Sequence, residues 1–135
     1  MCLAGASGAG AELLDAVAHR DLRVHFVWVP VLPPDGVAAA EAATARVDDP
    51  QARHYWDGER RLARRLGEAL GISAKESLGV DGGSGLAWDV YLAYERGNGD
   101  LTRPAFWMHQ LAVKHAPRLD AAAFRQRVEK LLLRA

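Results

Sequence analysis

One cysteine, Cys2, is all the thiol that 135 residues contain. A single thiol cannot close an intramolecular disulfide, which excludes a secreted scaffold held by bridges. Neither paired cysteines nor a His-x-x-His pair is present, so no structural metal and no other cofactor is expected. Net charge is missing too: 17 Lys and Arg balance 17 Asp and Glu, leaving no overall field to draw the chain onto nucleic acid or an anionic membrane. The longest apolar stretch, Val24 to Leu32, is interrupted by His25 and Pro30, which rules out a membrane span. No basic region followed by an apolar run opens the chain, so no signal peptide is read and the location expected is cytoplasmic.

What is present is globular in character. Half the residues are hydrophobic and a quarter charged, far from the composition of a disordered chain, and the length suits one core and a single domain over 1–135. Leu13, Leu14 and Val17 predict a helix over 8–19, with Ser7 as its cap and His19 and Arg20 in its last turn. Gly5, Gly8 and Gly10 lie before and at its start without the strand or the Gly-Lys-Ser/Thr ending of a phosphate loop.

Leu22 to Leu32, rich in Val, Phe and Trp without clean alternation, predicts a strand buried on both faces of a parallel sheet. Pro30, Pro33 and Pro34 end it, and Asp35 is placed to cap an alanine-rich helix reaching Arg46. Leu62, Leu66 and Leu70 make one stripe of an amphipathic helix over 59–70, with Arg60, Arg61, Arg64 and Arg65 mostly on its solvated side and Gly71 at its end. Gly79 to Gly85 reads as a loop. Leu86 to Tyr94 alternates as a strand, Gly97, Asn98 and Gly99 turn, and Ala105 to Leu111 returns, which predicts a hairpin. Asp120 starts a last helix with Phe124, Val128, Leu131 and Leu132 on its inner face.

The order helix, buried strand, helices, antiparallel hairpin and C-terminal helix is that of a thioredoxin-like α/β fold without its first strand. The stretches Val24 to Pro34, Asp49-Pro50 leading into His54, Tyr55, Trp56 and Asp57, and Trp88-Asp89-Val90-Tyr91 strengthen the point. Together they resemble a poorly characterised bacterial family of thioredoxin-like proteins. The resemblance implies a central sheet with flanking helices and places Cys2 at the first position of a Cys-x-x-Cys site at a helix start. It departs from the family twice: Gly5 stands where the resolving cysteine belongs, and the strand that precedes the site is missing from the chain. A dithiol cycle within one chain is therefore closed off, since a mixed disulfide on Cys2 has no internal thiol to displace it. An unpaired central edge would invite a second copy, so a homodimer through that edge joins a protein partner or thiol substrate among the expected partners.

The candidate chemistry rests on few residues. Cys2, as a thiolate stabilised by a helix N-terminus, is the candidate catalytic nucleophile of monothiol exchange. His54, Tyr55, Trp56 and Asp57 gather a base, two aromatics and a carboxylate, readable as a ligand-binding rim or as packing with Asp57 as helix N-cap. Asp89, on the less apolar side of its predicted strand, is a candidate proton acceptor or a satisfied structural carboxylate. His109 on the returning strand is a candidate partner of Cys2 in a Cys-His pair or a soft-metal site. The functions left open are monothiol redox at Cys2, a degenerate binding role, a soft-metal or small-ligand module, and a structural dimerisation domain.

Overall fold

The computed structural model of the chain describes residues 22–79, 82–111 and 113–134. Cys2, the glycines before Ala11 and the helix predicted over 8–19 lie outside the described residues. The rest separates into two compact units, one made of residues 22–59 with Ala121–Arg134, the other of Arg60–Asp120.

In the first unit, β1 (Val24–Trp28) pairs in parallel with β2 (Ala52–Trp56), in register from Val24 opposite Ala52 to Trp28 opposite Trp56. Two parallel strands need a crossover, and the connection carries helix α1 (Val37–Thr44). The alanines of α1 let it lie close to the sheet: Ala40 and Ala43 are buried with Trp28, and Phe26 packs against them. The fourth helix, α4 (Ala121–Leu132), belongs to this unit and buries Phe124 and Val128, as its spacing predicts.

Two expectations for this unit change. Asp35 does not cap α1. Its carboxylate turns back and accepts hydrogen bonds from the N–H groups of Val31 and Leu32, at 2.9 and 2.8 Å, closing the turn around the two prolines, which have no N–H to offer. Gly36 takes the N-cap position without a side-chain bond. Nor is β1 buried on both faces. Val24 and Phe26 are half-buried and Trp28 buried, while His25 and Val27 are exposed. What looked like a continuous apolar run is a one-sided strand whose outer positions hold a histidine and a valine.

The second unit opens with α2 (Arg61–Ala69), whose Leu62 and Leu66 face inward and whose Arg61, Arg64 and Arg65 do not, as expected. Its end is a Schellman turn: Gly71 sits at φ 69°, Gly71 N–H donates to Glu68 and Ile72 N–H to Gly67. Its start differs from expectation. Asp57 is not the N-cap; its N–H donates to the Trp28 carbonyl at 2.9 Å and closes the β1–β2 ladder, leaving Arg60, in left-handed geometry at φ 57°, as a cap without a side-chain bond. Helix α3 (Ala74–Leu78) then stands ahead of the predicted loop, on a capping box in which Ser73 and Glu76 exchange hydrogen bonds.

The hairpin forms, β3 (Val90–Ala93) against β4 (Phe106–His109), with Val90 opposite His109 and Ala93 opposite Phe106. The first strand is shorter than predicted, because Asp89 lies at φ 56° and breaks the alternation that began at Leu86. Leu86 and Ala87 are both buried, although they would point oppositely in a strand. They are held by the Ser77 hydroxyl, which accepts from Leu86 N–H, and by the Ala63 carbonyl, which accepts from Ala87 N–H. Leu66, Leu70, Ile72 and Ala87 form the core, with Leu62, Val90, Leu92 and Trp107 against it.

Among the described residues the protein is thus mixed α/β, with two two-stranded sheets in place of one central sheet. None of their helices is long and apolar enough to cross a membrane.

Candidate functional site

The residues singled out in the sequence fall into two groups. His54, Tyr55, Trp56 and Asp57 belong to the first unit, Asp89 and His109 to the second.

Side chains alternate along β2, so His54 and Trp56 face one side of the sheet and Tyr55 the other. Tyr55 and Trp56 therefore cannot share one rim. On the inner side His54 lies in a stack with Phe26 and Trp28, ring centroids 5.0 and 6.0 Å away and planes within 10° of parallel. The Trp28 indole N–H donates to Thr44 Oγ1 at 3.1 Å and to His54 Nδ1 at 3.3 Å. Since His54 Nδ1 accepts, the proton is on Nε2, which donates to the Val47 carbonyl at 3.1 Å. Both nitrogens of His54 are committed to holding the α1–β2 connection against the sheet. To serve as a metal ligand or base the ring would have to give up one of those bonds.

The outer side is different. His25 and Tyr55 stack at 5.6 Å with 27° between planes, and the Tyr55 hydroxyl meets His25 Nδ1 at 3.2 Å. Tyr55 is 50% exposed and its strand partner Val27 37%. With exposed Arg53 opposite His25, these four side chains form one continuous surface of aromatic, aliphatic and basic character. Trp56, at the end of β2 on the inner side, is 37% exposed and lies over Gly58, where an added Cβ would come within 2.6 Å of the indole nitrogen.

In the second unit Asp89 and His109 are both drawn inward. Burial pushes the Asp89 carboxyl up from its ordinary value. His109 has no exposed surface; its Nδ1 accepts from Leu111 N–H at 3.1 Å, and Nε2 has no partner at hydrogen-bonding geometry. Burial holds this ring below its ordinary pKa, against the opposite pull of Glu76 and the Trp88 carbonyl. Trp88 itself donates to the Ser77 carbonyl at 2.7 Å, tying the Trp-Asp segment to α3.

Glu76 is the group that sequence reasoning passed over. It accepts from Lys114 N–H at 2.8 Å and from the backbone and hydroxyl of Ser73, and those bonds, Lys114 first, hold its carboxyl at about 2. The Ser-x-x-Glu spacing at 73–76 carried the signal for the helix start; the tie to Lys114, 38 residues away, left no trace in the sequence. A cleft of about 170 Å³ lined by Leu62, Arg65 and the 99–102 turn touches none of these residues and is small for an organic ligand. Among the described residues no three His, Cys, Asp or Glu side chains converge in a way that could hold a metal ion.

The fold and these sites define a mixed α/β protein with an aromatic, partly exposed parallel sheet. Compared with known proteins, the chain matches no family model, no curated sequence and no solved structure.

Proposed function

We propose that this chain is a divergent thioredoxin-like protein with a binding role, engaging a protein partner through the outer face of its parallel sheet. The observation that carries the reading is the exposed surface of His25, Val27, Arg53 and Tyr55. Parallel sheets are ordinarily covered on both faces, and tyrosine and arginine are the residue types that anchor protein interfaces. The His25–Tyr55 stack also holds the tyrosine in place before any partner arrives, which lowers the entropy lost on binding. The candidate bases support the same reading by their occupations: His54 is spent on Trp28 and Val47, and His109 is enclosed. The resemblance adds Cys2 as a lone thiol beside this function.

The test is cross-linking and mass spectrometry in extracts of the source organism with the wild-type chain, Tyr55→Ala/Val27→Asp and Cys2→Ser. Both altered positions of the double variant are exposed, so its fold should survive. A partner captured by wild type and by Cys2→Ser, and lost from the double variant, is the expected result. Identical capture by wild type and the double variant would remove the proposal. Loss on Cys2→Ser alone would shift the function to monothiol exchange, a reading that also requires a thiol titrating well below the free value of about 8.5.

A further inference from the structure

The second unit contains a buried histidine that the proposed binding role does not use, at the foot of the segment that follows β4. His109 ends β4 and has no exposed surface. The chain beyond it returns to it repeatedly: Leu111 N–H donates to its Nδ1, its own N–H donates to the Pro117 carbonyl, and Leu119 N–H donates to its carbonyl. The turn Val113–Ala116 closes on itself, and Lys114 N–H is held by Glu76. Because Nδ1 accepts, the ring is neutral with its proton on Nε2.

Protonation changes one bond decisively. A charged imidazole carries hydrogens on both nitrogens, so Nδ1–H would then face Leu111 N–H, donor against donor. The charge would also be buried, with Nε2 still lacking an acceptor at good geometry. Around the ring, Glu76 on α3 and the Trp88 carbonyl favour the charge, Asp89 precedes the residue paired with His109, Arg118 bridges to it through the backbone, and His115 faces Glu76. Glu76 keeps its own hydrogen bonds, so its attraction does not replace the bond lost at Leu111.

The geometry points to His109 as a proton-operated latch on the segment after β4: neutral, it holds Leu111; protonated, it releases Leu111 while Glu76 still holds Lys114. The direction follows from linkage. A histidine that is harder to protonate when folded stabilises the latched state above its unfolded value of about 6.5, and that contribution is lost as pH falls below it. The Glu76 tie, with its carboxyl at about 2, persists through this range.

Amide hydrogen exchange, expressed as protection factors at about pH 7.5 and about pH 5, reads the latch directly. Protection at Leu111 should be lost at the lower pH in the wild-type chain, while Lys114 and Ser73 change much less. In His109→Gln, whose amide oxygen can accept from Leu111 without titrating, Leu111 should show no such dependence, and His115→Gln should behave as wild type. An unchanged wild-type Leu111, or a loss that persists in His109→Gln, would overturn the latch. Should His109→Gln fail to fold, an NMR titration of the wild-type His109 ring decides: a midpoint below about 6.5 supports it and one above ends it.

Discussion

Single atoms decide several positions. Gly67 lies inside α2, where alanine is normally the better residue by about 1 kcal/mol. Here a Cβ would sit 2.1 Å from the Gly85 carbonyl oxygen, a backbone atom that cannot swing aside. Steric cost wins over propensity, and Gly67→Ala should lower stability by ~1–3 kcal/mol in urea titration. Trp28→Phe keeps the ring stack but removes the N–H shared by Thr44 and His54, and should cost ~1–3 kcal/mol by the same measurement. Asp89 gives a pH-dependent case. Its folded carboxyl is raised by burial, so the charged form opposes folding and stability falls as pH rises through the folded value. Asn tolerates the left-handed backbone of this position. Asp89→Asn should therefore raise the urea midpoint at neutral pH and leave it nearly unchanged once the wild-type carboxyl is protonated.

At the level of elements, the capping box of α3 offers a separable test. Ser73→Ala removes the hydroxyl that bonds both Glu76 N–H and the Glu76 carboxylate, and should cost ~0.5–2 kcal/mol. The Glu76 carboxyl should titrate somewhat above about 2 in that variant, though still below its usual value, because the Lys114 N–H, the larger cause, is untouched. In wild type the depressed carboxyl stabilises the fold above about 4.5, and that stability is lost as pH falls toward about 2. The elements legible in the sequence were those with a strong period: the leucine stripe of α2, the Phe124–Val128 face of α4, and the hairpin with its glycine turn. Less legible was anything decided by a partner distant in sequence. Ala52 to Trp56 shows no apolar alternation, yet it is a strand because β1 supplies its ladder. Asp35 and Asp57 each looked like a helix cap, and each bonds backward instead. The candidate site divided in the same way: the aromatic segment at 54–57 was visible, but its split between two faces required the register with β1.

For the whole molecule, the four tryptophans divide evenly between the units: Trp28 and Trp56 in the first, Trp88 and Trp107 in the second. Paired Trp→Phe variants thus give each unit its own fluorescence reporter. A chain shortened to end at Asp120 lacks α4, with its buried Phe124 and Val128. Emission from Trp28 should shift to the red in that chain, while amide protection in β3 and β4 is retained; equal loss in both would show that the units stand or fall together. The division has a bearing on biosynthesis as well. The second unit is one uninterrupted stretch, whereas the first takes its pieces from both sides of it. During translation, residues 60–120 can assemble as soon as they clear the ribosome, whereas the first unit is complete only once α4 has followed them. A message cut short before α4 would release a chain with a finished hairpin and a first unit lacking its last helix.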